Sequence, residues 1–225
     1  MIRRTLDAVE REVRRQMMGP LRLRRQVFSP RREFKRIQRR VARVAEDAAF
    51  ALDRWESHQP VLVELLTRRP DSRVLELGMG YASTPIVLAL SASSVSIETD
   101  KAWFARFSRF SGPQHQLLHL SDYTDSEWRS PYLEQDWDVA FVDNSPYSTR
   151  QSNLLKLADK ARFIVCHDTE ECFKPAGSDY RWDFSSFRYV WTYTRFDNYT
   201  TVASNVEPIP LELVPGIDGQ PPGRR

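Results

Sequence analysis

The stretch LELGMGYASTP, residues 75 to 85, has the composition of a ligand-binding turn. A carboxylate, Glu76, is followed by two glycines that are separated by one residue, directly after an apolar run. Glycine lets the backbone turn tightly and approach a ligand closely, because it has no Cβ atom. Ser83 or Thr84 can cap the helix that follows. The stretch therefore predicts a cofactor site that includes Glu76, Gly78, Met79, Gly80, Tyr81, Ser83 and Thr84.

A second carboxylate, Glu98, ends the next apolar run, where it could accept hydrogen bonds from a ribose diol. Two kinds of cofactor are compatible with a glycine turn followed by such a residue. A dinucleotide site has the pattern G-x-G-x-x-G, with the pyrophosphate at a helix N-terminus, but Ser83 takes the third glycine position here. The Glu76 carboxylate would also lie near the bound anion. A cofactor with a cationic amino-acid end fits the residues better.

Polar side chains also follow two later apolar runs. FVDNSP places Asp143 and Asn144 after one run, and IVCHDTE places His167 and Asp168 after the other. Neighbouring parallel strands lie about 4.8 Å apart, so Asp143 and Asp168 could face a common point. His167 could act as a general base without a metal, since its ordinary pKa is near neutral. Alternatively, His167 and Asp168 could cap a helix or join a structural hydrogen-bond network.

Other candidate site residues have weaker support. His58 precedes the helix that leads into the first strand, where it could line the site or only cap the helix. Tyr180 and Trp182 lie in the loop before a predicted hairpin and could shape an acceptor pocket. Cys166, His167 and Cys172 have irregular spacing and make a poor zinc-ligand set.

The elements that must position these residues alternate between short apolar strands and helices. Strands are predicted over 73–78, 94–99, 115–121, 137–143 and 162–168, with helices over 83–91, 100–110 and 149–161 between them. This alternation predicts an α/β fold with a doubly wound, mostly parallel sheet. Two aromatic and β-branched runs near 184–205 predict a C-terminal antiparallel hairpin, which brings the sheet to seven strands. In an open parallel sheet, ligands bind beyond the carboxyl ends of the strands.

The two ends of the chain differ from the middle in composition. Residues 1–46 hold 15 Lys and Arg against five acids, whereas the whole chain has a net charge of +3. In the helix predicted over 31–55, Phe34, Ile37, Val41, Val44 and Ala48 form an apolar stripe. We expect this basic helical extension, residues 1–56, to pack on a domain over 57–205. Its arginines would face water, or would contact a nucleic acid or an anionic membrane. Residues 206–225 are rich in Pro and Gly and predict a loose tail.

The lengths of the apolar runs and the number of cysteines indicate the compartment in which the protein works. The longest apolar run, PIVLAL, is far shorter than the roughly 20 residues that a membrane span needs. The N-terminal residues lack the apolar segment of a secretory signal. Two cysteines in 225 residues indicate a reducing compartment. We therefore expect a cytoplasmic protein.

VLELGMGYAST, Glu98, WDVAFVD and the terminal hairpin together resemble the class I S-adenosylmethionine-dependent methyltransferases over about residues 58–205. The resemblance implies that the glycine turn approaches the methionine part of the cofactor and that Glu98 holds the ribose. Asp122 would lie near the adenine, and the site would extend to Thr99 and Asp143. Ala82 stands where many members carry a third glycine.

The two later strand ends also resemble those of metal-dependent O-methyltransferases, in which acids at these positions hold a divalent ion. The resemblance implies that Asp143 and Asp168 could hold Mg²⁺, which prefers oxygen ligands. The usual Asp-Asn pair of the fifth strand is His167-Asp168 here. The expected activity is methyl transfer to a small-molecule hydroxyl, with catalytic roles for Asp143, His167 and Asp168. An amine acceptor, a nucleic-acid or protein substrate bound by the basic arm, and a non-catalytic interaction module are the alternatives.

Overall fold

The computed structural model describes residues 28–121, 132, 135–170, 181–211 and 217–218. Five α-helices lie within these ranges: α1 Pro30–Glu46, α2 Gln59–Thr67, α3 Thr84–Leu90, α4 Lys101–Phe107 and α5 Arg150–Leu157. The strands there are β1 Arg73–Leu77, β2 Ser93–Glu98, β3 His115–His119, β4 Trp137–Val142, β5 Ala161–His167, β6 Tyr189–Tyr193, β7 Thr200–Ser204 and β8 Ile217–Asp218. None of the helices in the described ranges is long and apolar enough to cross a membrane.

The strands form one sheet in the order β3-β2-β1-β4-β5-β7-β6-β8. Strands β1 to β5 are parallel, and β6 to β8 run antiparallel to their neighbours. Leu77 pairs with Ile97 on one side and with Val142 on the other, so the carboxyl ends of β1, β2 and β4 meet at one edge. The strand order reverses between β1 and β4, which makes the crevice between them the expected ligand position.

The core lies on both faces of the central strands, which explains their continuous apolar sequences. Val139 and Phe141 of β4 belong to one buried cluster, and Ala140 and Val142 belong to the other. The predicted doubly wound sheet and its antiparallel hairpin are confirmed. Because its middle strands are fully enclosed, polar side chains can reach solvent or a ligand mainly at the strand ends.

Helix α1 is part of the same core. Ile37 and Val44 are buried in the cluster that contains Val139, and the helix packs against α3. Phe34 and Val41 are partly buried against it, which confirms most of the predicted stripe. Ala48 is exposed, because the helix ends at Glu46 and the stripe ends with it. The segment predicted as an extension therefore shares the core from α1 onward, and the boundary at residue 56 stays a prediction.

The C-terminal segment differs from the predicted loose tail. Leu211 is buried, Ile209 packs against the core, and Glu207 pairs with Arg69. Strand β8 adds an eighth strand, of two residues, to the seven predicted, and it pairs with β6. Without β8, the edge of β6 would present unpaired backbone groups, and β8 forms hydrogen bonds with them.

Candidate active site

The glycine turn lies at the carboxyl end of β1, directly against the end of β4. Gly78 has a φ of +91°, and its N–H donates to the Ile97 carbonyl at 2.9 Å. A Cβ atom at Gly78 would lie 2.5 Å from the Asp143 carbonyl oxygen. At Gly80, by contrast, a Cβ atom would meet nothing closer than the Ser83 Oγ at 3.6 Å. Gly78 is therefore required by the fold, whereas Gly80 could carry a Cβ atom without a clash.

Glu98 fastens the turn to β2. Its carboxylate accepts hydrogen bonds from the backbone N–H groups of Met79, Thr99 and Asp100 at 2.8–2.9 Å. Glu98 is 4 % exposed, so it contacts the turn from the interior of the protein. Thr99 is half-buried, and its hydroxyl donates to the Ser145 carbonyl at 3.3 Å. The structure thus places Glu98 and Thr99 beside the glycine turn, as predicted, while ribose binding by Glu98 stays a prediction.

Glu76 supports the turn from inside the protein. Its Oε1 accepts hydrogen bonds from Ser83 Oγ at 2.7 Å and from Thr84 Oγ1 at 3.0 Å, and all three side chains are buried. The Thr84 Oγ1 also accepts from the Gly80 N–H at 3.0 Å. Burial raises the pKa of Glu76 to about 7, although these hydroxyls oppose the rise. Glu76 therefore takes up a proton at a higher pH than an ordinary glutamate does.

Aromatic side chains form the wall on the β3 side of the turn. Met79 is buried with Phe107 and Leu117, and Tyr81 packs on the Trp103 ring at a centroid distance of 5.2 Å. The Tyr81 hydroxyl accepts a hydrogen bond from Arg106 at 2.8 Å. The predicted cofactor residues Met79 and Tyr81 thus flank the glycines on an apolar, aromatic surface.

A buried polar cluster lies on the other side of the switch point, at the ends of β4 and β5. The Arg150 guanidinium donates to Asp143 Oδ1 at 2.7 Å and to Asp168 Oδ2 at 3.1 Å. His167 Nδ1 lies 3.4 Å from Oδ1 of each of these carboxylates. The Asp143 side chain is 25 % exposed, whereas those of Arg150, His167 and Asp168 are almost fully buried. Asp143 is therefore the member of the cluster that an acceptor would meet.

The positive charge between the Asp143 and Asp168 carboxylates is the guanidinium of Arg150. Arg150 bridges Asp143 and Asp168, and Asp168 Oδ1 also accepts a hydrogen bond from Asn198 at 2.5 Å. The guanidinium thus takes the bridging position that a Mg²⁺ ion shared by these two carboxylates would need. The expected Mg²⁺ site of Asp143 and Asp168 does not fit this hydrogen bonding, and we derive no chemical step from it.

The protonation states of the cluster follow from its charges. Burial alone would lower the pKa of His167, but the Asp168 and Asp143 carboxylates raise it to about 9. Burial would raise the pKa of Asp143, yet Arg150 and His167 hold it well below its usual range. Burial, helped by the His167 charge, lowers the pKa of His58 to about 3. At neutral pH, therefore, His167 is cationic, Asp143 is anionic and His58 is neutral.

The segment before α2 covers the cluster. Ser57 Oγ lies 3.0 Å from His167 Nε2, and the His58 ring packs edge-to-face on His167 with centroids 4.6 Å apart. Both residues are buried. Trp182 closes another side by donating from its ring nitrogen to the Asp168 carbonyl at 2.9 Å. His58 makes no side-chain capping hydrogen bond at the start of α2, so the predicted cap is not observed. His58 and Trp182 both lie against the cluster, and their roles in lining a substrate site stay predictions.

Comparison with known proteins identifies the fold. No protein-family profile and no curated protein matches the sequence. Among solved structures, an O-methyltransferase from Bacillus cereus in complex with SAH superposes with a TM-score of 0.50 at 14% identity, covering 76% of this chain and 90% of that one. The chain has a class I methyltransferase fold.

Further solved methyltransferases resemble the chain with slightly lower scores. An rRNA methylase from Streptococcus thermophilus has a TM-score of 0.47 and 14% identity, with 65% of this chain and 95% of that chain covered. A human methyltransferase 10 domain containing protein has a TM-score of 0.47 and 13% identity, with 77% and 99% covered.

In this methyltransferase fold, the predicted residues fall into two groups around the β1–β4 crevice. The glycine-turn group and Glu98 lie on one side, and Asp143, His167 and Asp168 lie on the other. Asp122, Tyr180 and Cys172 lie outside the described residues.

Sequence reasoning missed the residue that organises the second group, Arg150. One signal for it existed, because an arginine in the first turn of a helix is unfavourable for the helix dipole and so indicates another role. Asn198 and Ser57 carried no comparable signal.

Proposed function

We propose that the protein is an S-adenosylmethionine-dependent methyltransferase that acts on a hydroxyl group of a small molecule. The observation that carries this proposal is the direct contact between the two halves of the site. The Gly78 turn touches the Asp143 backbone so closely that even a methyl group would not fit between them. A cofactor bound along the glycine turn would therefore present its reacting end to the Asp143–His167 cluster.

The turn suits this cofactor better than a dinucleotide. Because Gly80 has no Cβ atom, a ligand can closely approach the backbone there. Helix α3 begins at Thr84, and Glu76 lies buried beneath its first turn. A carboxyl group there disfavours the pyrophosphate of a dinucleotide, whereas it tolerates a cationic amino-acid end. The aromatic surface of Tyr81 and Trp103 offers an apolar side for the rest of the cofactor.

The chain's own contribution to catalysis is mainly alignment. Bound S-adenosylmethionine supplies a sulfonium methyl group, and the transfer forms an oxygen–carbon bond, breaks the sulfur–carbon bond and releases S-adenosylhomocysteine and one proton. Asp143, ionised and partly exposed, accepts a hydrogen bond from the acceptor hydroxyl and orients its lone pair. Arg150 and Asp168 hold Asp143 and His167 in place. His167 carries a proton at neutral pH, so in the metal-free protein it acts as a fixed charge and becomes a general base only near pH 9.

The test combines a variant of Asp143 with a matched control on the same strand. Asp143→Asn should lower turnover at least about 100-fold, as loss of a positioned polar group does, while S-adenosylmethionine affinity stays within a few-fold. Asp138→Asn changes the same residue type at the far end of β4 and should leave both unchanged. The assay is release of S-adenosylhomocysteine with phenolic, catecholic and aliphatic alcohols and the corresponding amines. Equal turnover by the two variants would contradict the role of Asp143.

A second candidate, a nucleic-acid methyltransferase, is favoured by one surface feature. The side of α1 that faces away from the core carries five exposed cations. Two other arginines of the helix, Arg36 and Arg40, are paired with Glu33 and Glu56. The exposed set, which we call the α1 basic face, comprises Arg31, Arg32, Lys35, Arg39 and Arg43. A continuous stripe of this kind suits a phosphate backbone.

The small-molecule and nucleic-acid candidates predict different effects on substrate binding when the charges of the α1 basic face are removed. Replacing Arg31, Arg32, Lys35 and Arg39 by glutamine leaves the buried residues of α1 intact. For a nucleic-acid enzyme, binding of duplex RNA in low salt should weaken in this variant. The slope of log affinity against log salt should also fall, by roughly 0.7–0.9 for each phosphate group that the variant no longer neutralises. Unchanged methylation of a small acceptor by this variant would exclude the face from substrate binding.

A further inference from the structure

Three potential metal ligands from three separate elements meet at the Asp143 cluster. His58 precedes α2, Asp143 follows β4, and His167 ends β5. One ligand atom from each of the three lies within 4.8 Å of those of the other two. Asp168, which we excluded above together with Asp143 as a Mg²⁺ pair, is not part of this set.

The His58 ring is the first observation that indicates a ligand. The residue is 1 % exposed, and neither of its ring nitrogens has a hydrogen-bond partner within the described residues. The Ala82 carbonyl lies near enough to raise the pKa of His58 slightly, but it is outside hydrogen-bonding geometry. The rings of Phe141 and His167 lie at 4.9 and 4.6 Å between centroids. Buried polar atoms are nearly always paired, so an unpaired imidazole that packs on a second imidazole requires an explanation.

The geometry of His167 is the second observation. Ser57 Oγ lies 3.0 Å from Nε2 and can accept a hydrogen bond from it, which leaves Nδ1 with a lone pair 3.4 Å from Asp143 Oδ1. Two ligands with bonds of about 2.1 Å in a tetrahedral site lie about 3.4 Å apart. A hydrogen bond from the second ring nitrogen is also what orients most metal-binding histidines. A metal ion would therefore have to draw the three ligand atoms together from separations of up to 4.8 Å to about 3.4 Å.

The charges around the three groups leave room for a cation. Arg150 is paired with Asp143 at 2.7 Å and with Asp168 at 3.1 Å, so the two carboxylates and one guanidinium leave one net negative charge. This charge faces His167, whose Nδ1 lies 3.4 Å from both carboxylates. Without a metal, a proton on His167 balances it. A divalent ion could replace that proton while Arg150 keeps its hydrogen bond to Asp143.

We propose that His58, Asp143 and His167 bind one divalent transition-metal ion of the zinc type. Two imidazoles and one carboxylate favour such an ion over Mg²⁺, which prefers oxygen ligands. Three protein ligands leave a fourth position open, as in catalytic zinc sites. The open position lies on the side of Asp143, which is the partly exposed member of the set.

The role of this ion in the reaction rests on the proposed methyltransferase function, whereas its binding does not. An acceptor hydroxyl at the fourth position would be a metal ligand, and its pKa would fall as that of zinc-bound water does. The hydroxyl proton would leave to solvent before the oxygen attacks the methyl group. The ion would thus supply the activation that a protonated His167 cannot.

The experiment measures metal binding directly, without cofactor or acceptor. The full chain is stripped with a chelator and titrated with Zn²⁺ by calorimetry, and with Co²⁺ by visible absorption, in which tetrahedral nitrogen and oxygen ligation gives d–d bands. His58→Gln and His167→Gln are compared with His115→Gln. The last is a matched control, because His115 lies on β3 and contacts Ser94, away from the cluster. Circular dichroism confirms that each variant is folded.

We expect one equivalent of Zn²⁺ per chain, with affinity reduced at least about 100-fold in His58→Gln and unchanged in His115→Gln. Failure of the wild-type chain to bind Zn²⁺ or Co²⁺ would overturn the proposal, even if a variant does not fold. Binding that persists in His58→Gln, or a cobalt spectrum dominated by thiolate charge transfer, would also overturn it. Metal binding without any methyl transfer would contradict the proposed function and leave the metal site standing.

Discussion

Replacing Arg150 by methionine should reduce the free energy of unfolding by about 3–5 kcal/mol. The guanidinium is 3 % exposed and donates to Asp143, Asp168 and the carbonyl oxygens of Asn144 and His167, at 2.7–3.2 Å. Methionine keeps much of the apolar stem but leaves the two carboxylates with only the charge of His167 beside them. The buried Asp168 then loses most, because its ion pair with Arg150 is gone and its charge cannot reach water.

The assay is urea unfolding at neutral pH, with Arg162→Met as the matched control. Arg162 is 41 % exposed and lies 3.8 Å from Asp138, so its loss should change stability by only about 0–1 kcal/mol. Adding Asp168→Asn to Arg150→Met should recover part of the lost stability, since it removes a buried negative charge that has lost its arginine. An Arg150→Met variant as stable as Arg162→Met would refute the claim that Arg150 stabilises the buried Asp143 and Asp168 carboxylates.

Further predictions concern the glycine turn and its buried carboxyl group. Gly80→Ala should change stability by less than about 1 kcal/mol but weaken S-adenosylmethionine binding at least about tenfold, since the methyl group fits the folded chain without a clash but would stand against a bound cofactor. Gly78→Ala should lower the free energy of unfolding in urea by at least about 2 kcal/mol, because Gly78 has a positive φ and lies against the Asp143 backbone. Equal losses of stability in the Gly78 and Gly80 variants would contradict the different roles assigned to the two glycines. Glu76 has a pKa raised from 4.5 to about 7 in the folded protein, so its contribution to stability falls as the pH rises through that interval, by about 3 kcal/mol in total. The stability of Glu76→Gln relative to the wild type should therefore increase from pH 4.5 to pH 8 in urea titrations, and a constant difference would show that Glu76 is not buried as described.

Much of the fold could be predicted because its sequence signals are local. The enclosed strands β1, β4 and β5 are continuous apolar runs in the sequence, and their polar ends marked the edge of the sheet where the site lies. Two details differ from the prediction. The apolar stripe of α1 stops before Ala48 because the helix ends at Glu46. The predicted loose tail supplies core contacts and the short strand β8, which are tertiary contacts that periodicity does not show.

The site itself was only partly predictable. The sequence indicated that Asp143 and Asp168 would lie near each other, and they do, but it could not show that Arg150 lies between them. Arg150 comes from a third element, and the side-chain direction of a helix start depends on the packing of the whole sheet. The same holds for His58, whose contact with His167 spans more than one hundred residues of chain.

Binding of the methyl donor at the glycine turn is tested most directly by calorimetric titration of the full chain with S-adenosylmethionine, repeated with Gly80→Ala. We expect one site per chain, with a dissociation constant below about 1 mM, and markedly weaker binding by the variant. Heat of binding that is absent at millimolar cofactor, or identical in the two proteins, would contradict the claim that this glycine turn binds the methyl donor.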